Sequence, residues 1–592
     1  MDKSSSKDQA VTSSVSRRDF LKSSSMGAGS MLTAATAGAV LFKESKAYAQ
    51  QRWDHEADIV VVGGGAAGSS AAVFALTAGA KVILLEKAPR FGGTTARSGG
   101  VYWIPNNSFM RAKGIEDQRE DCLRYMARCA YPALYNPKDK YLGLGPNKAS
   151  LLEAFYDNAA DTIDALQKMG ALDSIVSDQN REMANKEEEM WPDYYAQLPE
   201  NKAPRGRALS VKGGGAGAEM ARQLHAGVEQ HGGSILFEHR ATRLVVNEKK
   251  EVVGIEATIN EGQTTVAVRA RKGVIFGSGG FTANAEMCLN HLRGPIFGGC
   301  AAPTNEGDFV TIGTGVGANL GNMNHAWWWP VMLEQALQSR DVSGFTQLPG
   351  DSMIQVNRYG RRVVNEKIQY NERTQAHFTW SPSKGEYPNL VLFMIYDQFT
   401  RERFGGTSGA IMSPGVTSPY ILSGETLEEL ATKIDARLSE IAERTGNLRL
   451  DPAFTATLQQ TIDTFNGYAE TGQDLEFYRG ESPIQDWFHG DRRPGNDKPN
   501  RTMYPISATG PYYAVMFAAG TLDTKGGPVI NAKAQVLDRD EKPIPGLFGA
   551  GNCIASPAGQ SYPAAGGTLG LALTFGAIAA KTALAESIKE IG

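Results

Sequence analysis

Three glycines carry the strongest chemical signal in this 592-residue chain. Gly63, Gly65 and Gly68 spell Gly-x-Gly-x-x-Gly within Gly63-Gly64-Gly65-Ala66-Ala67-Gly68, and Glu86 and Lys87 stand eighteen and nineteen residues after the last of them. At this spacing the first glycine makes a tight turn, the second lets a pyrophosphate approach the backbone, and the third packs a helix on a strand. A carboxylate where Glu86 stands accepts hydrogen bonds from a ribose hydroxyl. The chemistry is that of holding a dinucleotide. Metal-holding spacings are missing. There is no His-Glu-x-x-His among the eight histidines and no Cys-x-x-Cys-His for haem. Cys122, Cys129, Cys288, Cys300 and Cys553 make no cluster of four close thiols. Their odd number and wide spacing also argue against a disulfide framework. Reactivity is therefore expected from a cofactor held without metal.

The elements that must position these glycines are readable on either side of them. Asp58-Ile59-Val60-Val61-Val62 is rich in β-branched residues and predicts a buried parallel strand. A small-residue helix is expected from Ser69 to Ala78 and a second strand from Lys81 to Leu85. The helix start then offers free N–H groups and its positive dipole end to the phosphates. Composition agrees: there are 66 glycines, where average usage would give roughly 40. The net charge of −4 gives no reason to expect a nucleic acid partner.

Residues 1–49 read as an address. Ser16-Arg17-Arg18-Asp19-Phe20-Leu21-Lys22 is followed by a mildly apolar Gly/Ala stretch and by Ala47-Tyr48-Ala49, a small-x-small cleavage site. This order resembles a twin-arginine export signal and implies the twin-arginine translocase as partner and a periplasmic location. Beyond it no uninterrupted apolar run reaches about 18 residues, so no permanent transmembrane helix is expected; contact with a membrane surface stays open.

After the second strand comes Arg90-Phe91-Gly92-Gly93-Thr94-Thr95, then Ser98-Gly99-Gly100. With the strand and turn Gly273-Val274-Ile275-Phe276-Gly277-Ser278-Gly279-Gly280 and the late Gly546-Leu547-Phe548-Gly549-Ala550-Gly551-Asn552, this resembles the family of fumarate reductase and succinate dehydrogenase flavoproteins and 3-ketosteroid dehydrogenases. The likeness runs over nearly all of residues 54–585. It implies an α/β fold: a Rossmann-type FAD-binding domain built from discontinuous segments, residues 50–324 and 520–592, with an inserted α+β catalytic or cap domain at 325–519. It implies FAD along Gly92, Gly93, Thr94, Thr95, Ser98, Gly99, Gly100, Gly279, Gly280, Gly551, Asn552, Thr568 and Leu569. No histidine occurs between Gly92 and Gly100, so the FAD is expected to be non-covalent.

Within that family the fumarate reductases carry His-Gly-x-Asn-Arg-Leu-Gly-Gly after the late strand. Here the stretch reads Gly559-Gln560-Ser561-Tyr562-Pro563-Ala564-Ala565-Gly566-Gly567-Thr568, which lacks the arginine fork a dicarboxylate wants. The Tyr-Pro-x-x-Gly form is similar to the 3-ketosteroid Δ1-dehydrogenases. So are Trp191-Pro192-Asp193-Tyr194-Tyr195 and Asn365-Glu366-Lys367-Ile368-Gln369-Tyr370. The likeness implies that Tyr562 and the N–H of Gly566 bind a ketone oxygen, that Tyr370 removes the neighbouring proton, and that Tyr194 assists Tyr370. The implied reaction is 1,2-desaturation of a 3-oxosteroid, with electrons passing to an external acceptor such as a quinone or cytochrome. Two other readings stand beside it: a desaturase of another cyclic ketone or an enoate reductase, and an FAD-holding electron-transfer partner without its own substrate. Family members often have Pro-Gly-Pro-Gly where this chain has Pro563-Ala564-Ala565-Gly566, which leaves the aim of the Gly566 amide open. Trp327-Trp328-Trp329 reads either as a cleft wall or as core, and Arg358, Arg361 and Arg362 read as a solvated turn.

Overall fold

The computed structural model describes residues 52–177, 190–342, 348–489 and 494–591. The twin-arginine motif and the cleavage site lie outside the described residues. Residues Trp53–Glu590 form one compact unit.

Strand β1 (His55–Val62), helix α1 (Ala66–Thr77) and strand β2 (Val82–Leu85) form the first βαβ unit. β1 pairs in parallel with β2, Val60 facing Ile83, and on its other side with β4 (Thr264–Phe276), Val60 facing Val274. Strand β3 (Ser234–Leu236) extends the sheet beyond β2. Apart from its first two residues, β1 is shut off from water on both faces, as a central parallel strand must be, which explains its unbroken β-branched run. Strand β5 (Ala326–Met332), helix α2 (Tyr370–Gln375) and strand β6 (Tyr512–Thr524) belong to the second half of the molecule. The late strand β7 (Pro543–Gly549) returns to the first sheet and lies parallel to β4. The last helix, α3 (Gly567–Ala585), packs against α1.

The eight-stranded sheet is thus assembled from both ends of the chain. A second, six-stranded sheet is centred on β6, which pairs antiparallel with β5 and with the strand Val391–Asp397. The expected boundary at 519/520 falls inside β6, because that strand runs unbroken from one expected domain into the other. Helix α3 is long and apolar enough to cross a membrane by length and composition, but it is mostly buried inside the protein.

The expected solvated turn at Arg358–Arg362 needs correction at Arg362. Its guanidinium is buried and donates to Glu366 and Asp474, at 2.9 and 2.8 Å. Glu366 is held in turn by buried Arg479 at 3.2 Å. Charges this deep persist only when paired, and the partners lie up to 113 residues away in sequence, so local composition does not reveal them.

Candidate active site

One large cleft, of about 460 Å³, runs from the carboxyl ends of β1 and β2 into the space between the two sheets. Its first part is the dinucleotide cradle. Gly63 has φ +101°, and a Cβ there would meet the carbonyl oxygen of Gly277 at 2.7 Å. A Cβ on Gly68 would run into the Gly63 carbonyl, so the third glycine sets the close approach of α1 to β1. Gly65 is different. Its backbone is ordinary and a Cβ would meet nothing nearer than the Thr95 hydroxyl at 3.6 Å; the space it leaves belongs to the cleft. Gly93 likewise has nothing within 4 Å of an added Cβ. A groove kept clear by glycines at the start of a helix fits the pyrophosphate of FAD.

Of the residues expected to hold the cofactor, Gly63, Gly65, Ala66, Ala67, Glu86, Lys87, Gly93, Thr94, Thr95, Ser98, Gly99, Gly100, Gly279, Gly551, Asn552, Thr568 and Leu569 line the cleft. Gly68, Gly92 and Gly280 stand behind the lining. Glu86 closes the turn, its carboxylate accepting from the N–H of Gly64 at 2.8 Å and of Ala88 at 2.9 Å. Burial raises its pKa, against these hydrogen bonds. Lys87 is held by Glu306 and Asp308 at 3.0 and 2.8 Å. The hydroxyl of Thr95 accepts from the N–H of Ala66 at 3.0 Å and so ties the Gly-Gly-Thr-Thr loop to the helix start.

Sequence reasoning missed Asp523. Fully buried near the end of β6, it accepts from the N–H of Gly280 (3.0 Å), from Asn305 (2.7 Å) and from Asn552 (3.1 Å). It gathers three separate cofactor-facing turns around one carboxylate, whose pKa burial raises. The available signal was one acid near the end of an otherwise apolar strand.

The far end of the cleft is aromatic. Tyr194, Tyr370 and Tyr562 all line it, and their ring centroids stand 5.3–5.6 Å apart, each pair edge to face. The hydroxyl of Tyr194 bonds to that of Tyr370 at 2.7 Å, and Thr568 donates to the hydroxyl of Tyr562 at 3.1 Å. Burial pushes the phenols of Tyr194 and Tyr370 well above the ordinary tyrosine value, and charge on a neighbouring tyrosine adds to the effect. Burial also raises Tyr562, opposed by hydrogen bonds from Thr568, Tyr370 and the amide of Gly566.

Each tyrosine is held by a different device. Asp193, beside Tyr194, is fixed by buried Arg207, which also pairs with Asp117 at 2.7 Å, and by the indole N–H of Trp103 at 2.8 Å. The N–H of Tyr194 donates to the carbonyl of Pro563 at 2.9 Å, joining this segment to the Tyr562 loop. Tyr370 opens α2, whose Asn371 accepts from the N–H of Trp328 at 3.0 Å. Gly566 caps α3 with φ +85°, and a Cβ there would stand 2.6 Å from the backbone of Tyr102. The alanines at 564 and 565 therefore leave this position in the left-handed conformation only glycine takes cheaply. The tryptophan run divides by strand alternation: Trp329 lines the cleft, Trp327 packs edge-on against Tyr562 at 4.8 Å, and Trp328 packs on Phe378 at 4.6 Å in a separate apolar cluster.

Such an arrangement can hold a ketone oxygen with a phenol and an amide and offer a second phenol pair to the carbon beside it. Among the described residues no group of three or more His, Cys, Asp or Glu is placed to hold a metal ion, and all five cysteines are free thiols.

The FAD binding domain family matches residues 58–569. The 3-oxosteroid 1-dehydrogenase of Mycolicibacterium smegmatis is 32% identical over 89% of this chain and 96% of its own length. The 4-oxocyclohexanecarboxylate 2-dehydrogenase of Sinomonas cyclohexanicum is 29% identical over 89% and 92%. Among solved structures, the 3-ketosteroid delta1-dehydrogenase of Sterolibacterium denitrificans, in complex with 1,4-androstadiene-3,17-dione, superimposes with a TM-score of 0.74 at 26% identity, covering 90% of this chain and all of that one.

Proposed function

This chain belongs to the FAD-binding family of the 3-oxosteroid 1-dehydrogenases, and on that premise we propose that it introduces a double bond between C1 and C2 of a 3-oxosteroid. The observation that carries the reading is the meeting of Tyr194, Tyr370 and Tyr562 on one cleft wall beside the cofactor cradle. Tyr562 and the amide of Gly566 hold the ketone oxygen and stabilise the charge that develops there, a device worth about 3–4 kcal/mol per donor. Tyr370 takes the proton from C2. Tyr194, bonded to it at 2.7 Å, steadies the phenolate form that this step needs. Bound FAD supplies an electron-poor acceptor for the hydride from C1. Trp191, Trp329 and Leu522 add apolar lining to the cleft.

The charges on the lining favour a neutral substrate over a cyclic keto acid. Lys87 is engaged by two carboxylates and Arg97 is held in a fork by Asp341. Neither of these two lining cations is left free to pair with a substrate carboxylate. The test is to mix the FAD-loaded protein without oxygen with 4-androstene-3,17-dione and follow the visible flavin band. Bleaching with formation of the 1,4-diene supports the reading. Bleaching by 4-oxocyclohexanecarboxylate alone would replace it with the cyclic-ketone reading.

The reading extends to location and to electron flow. Export in the folded state through the twin-arginine route is supported by Arg17-Arg18 and the Ala47-Tyr48-Ala49 site. Replacing both arginines by lysine should leave active protein in the cytoplasm; undiminished export would reject the route. Outside the cytoplasm the electrons go to a quinone or a cytochrome, which reoxidation of the bleached protein by each in turn would distinguish.

A further inference from the structure

Lys525 directly follows β6, is fully buried, and makes no salt bridge among the described residues. A lysine in such a place costs stability that an apolar side chain of equal size would not. What it touches suggests why it is there. Its carbonyl accepts from the N–H of Ser556 at 3.0 Å, and its amine donates to the carbonyl of Ser561 at 2.6 Å, so one residue grips both ends of the loop that leads into Tyr562. Its own N–H donates to the carbonyl of His325 at 3.2 Å, just before β5. The amine also lies 4.0 Å from the ring centroid of Trp327, the ring against which Tyr562 rests.

We propose that Lys525 is the positioning residue of Tyr562, fixing the ketone-binding phenol between loop and wall with a buried ammonium whose charge favours negative charge at the phenol and at the ketone oxygen it holds. The role of Tyr562 in this statement rests on the function proposed for the cleft. Burial holds the amine well below the ordinary lysine pKa and Arg293 nearby adds to this, while Glu372 opposes it. The carbonyl of Ser561 and the electron-rich face of Trp327 act in the same sense as Glu372. A neutral side chain at 525 would release both the loop and the field.

The variants are Lys525→Met, Lys525→Gln, which keeps a donor without charge, and Lys525→Arg, which keeps the charge. With FAD retained, Met and Gln should lower kcat for a 3-ketosteroid about 10²-fold, the scale of a small misplacement of a reacting group. KM should stay within about threefold, and Arg should recover most of the rate. The decisive readout needs no substrate. With trifluorotyrosine incorporated at position 562, the ¹⁹F titration midpoint should lie about one pH unit higher in the Met and Gln proteins, as for a charge removed at ~10 Å in a medium of effective dielectric ~20. An unchanged midpoint in either folded neutral variant overturns the proposal. Should neither neutral variant fold, the ¹⁵N shift of the Lys525 amine in the unsubstituted protein decides: an ammonium at pH 7 supports the proposal and a neutral amine overturns it. A protein that ignores 3-ketosteroids yet shows the midpoint shift rejects the substrate reading and leaves Lys525 coupled to Tyr562.

Discussion

Replacing Tyr562 by Phe removes one oxygen atom at the point where the reaction needs it and very little elsewhere. The ring stays wedged between Trp327, Tyr194 and Tyr370, whose centroids lie 4.8, 5.3 and 5.6 Å away. The groups that lose a contact are the Thr568 hydroxyl at 3.1 Å, the Tyr370 phenol and the amide of Gly566, all lining the cleft, so the cost to folding is on the order of 1 kcal/mol. The cost to the reaction is that of an oxyanion donor, about 2.7–4 kcal/mol, or 10²–10³ in kcat. The two costs separate cleanly. Anaerobic stopped-flow mixing with saturating 4-androstene-3,17-dione should show flavin bleaching slowed by that factor, with FAD content unchanged and the melting temperature lowered by a few degrees at most. Bleaching within about tenfold of the unsubstituted rate, in a protein that binds the steroid, would refute the assignment of Tyr562 to the ketone.

Gly65→Ala adds a methyl group that meets nothing of the chain nearer than 3.6 Å and needs no unusual backbone. It should therefore leave far-UV circular dichroism unchanged while weakening FAD retention about tenfold or more, through the close approach a pyrophosphate needs; full retention would place the phosphates elsewhere. Because burial raises the Tyr370 phenol above its ordinary value, its basic form becomes more abundant as pH rises, so kcat/KM should climb steadily between about pH 7 and 10. A flat profile would point to another base. Burial alone would raise Glu366, but Arg362 and Arg479 outweigh it and hold the carboxyl at about 2, below the ordinary 4.5. Its folded pKa is depressed, so its stabilisation is complete above the unfolded value and is lost as pH falls from about 4.5 to about 2. That contribution is on the order of 3 kcal/mol, and Glu366→Gln should flatten the acid branch of the melting-temperature profile; an unchanged branch would assign it to other carboxylates.

What could be read in the sequence was what is local. The turn at Gly63–Gly68, the strands on either side and the position of Glu86 all depend on fewer than thirty neighbouring residues, and their spacing carries the geometry. The three tyrosines came from likeness to a family, since nothing in the spacing of Tyr194, Tyr370 and Tyr562 says that their rings meet. Strand alternation could have sorted Trp327 and Trp329 from Trp328, but only once β5 was known to be a strand with two buried faces. Asp523, Arg207 and Arg362 were out of reach because their partners lie far along the chain. Arg207 pairs with Asp117 across 90 residues, and Asp523 receives Gly280 across 243. A buried charge looks like a surface charge until the pairing is known.

The cofactor cradle draws on the two ends of the described fold. The glycine turn and its loop end by Gly100, whereas Gly551, Asn552, Thr568 and Leu569 lie in the last fifty residues, and α1 rests on α3, which ends at Ala585. A chain still being synthesised has the phosphate turn but neither the far wall nor the helix that supports α1. A complete cradle therefore needs the chain through α3, and FAD capture is expected only once that helix has been made. A product truncated before Gly551 would lack the far wall however well its first βαβ unit folds, and would add polypeptide to a preparation without adding yellow colour.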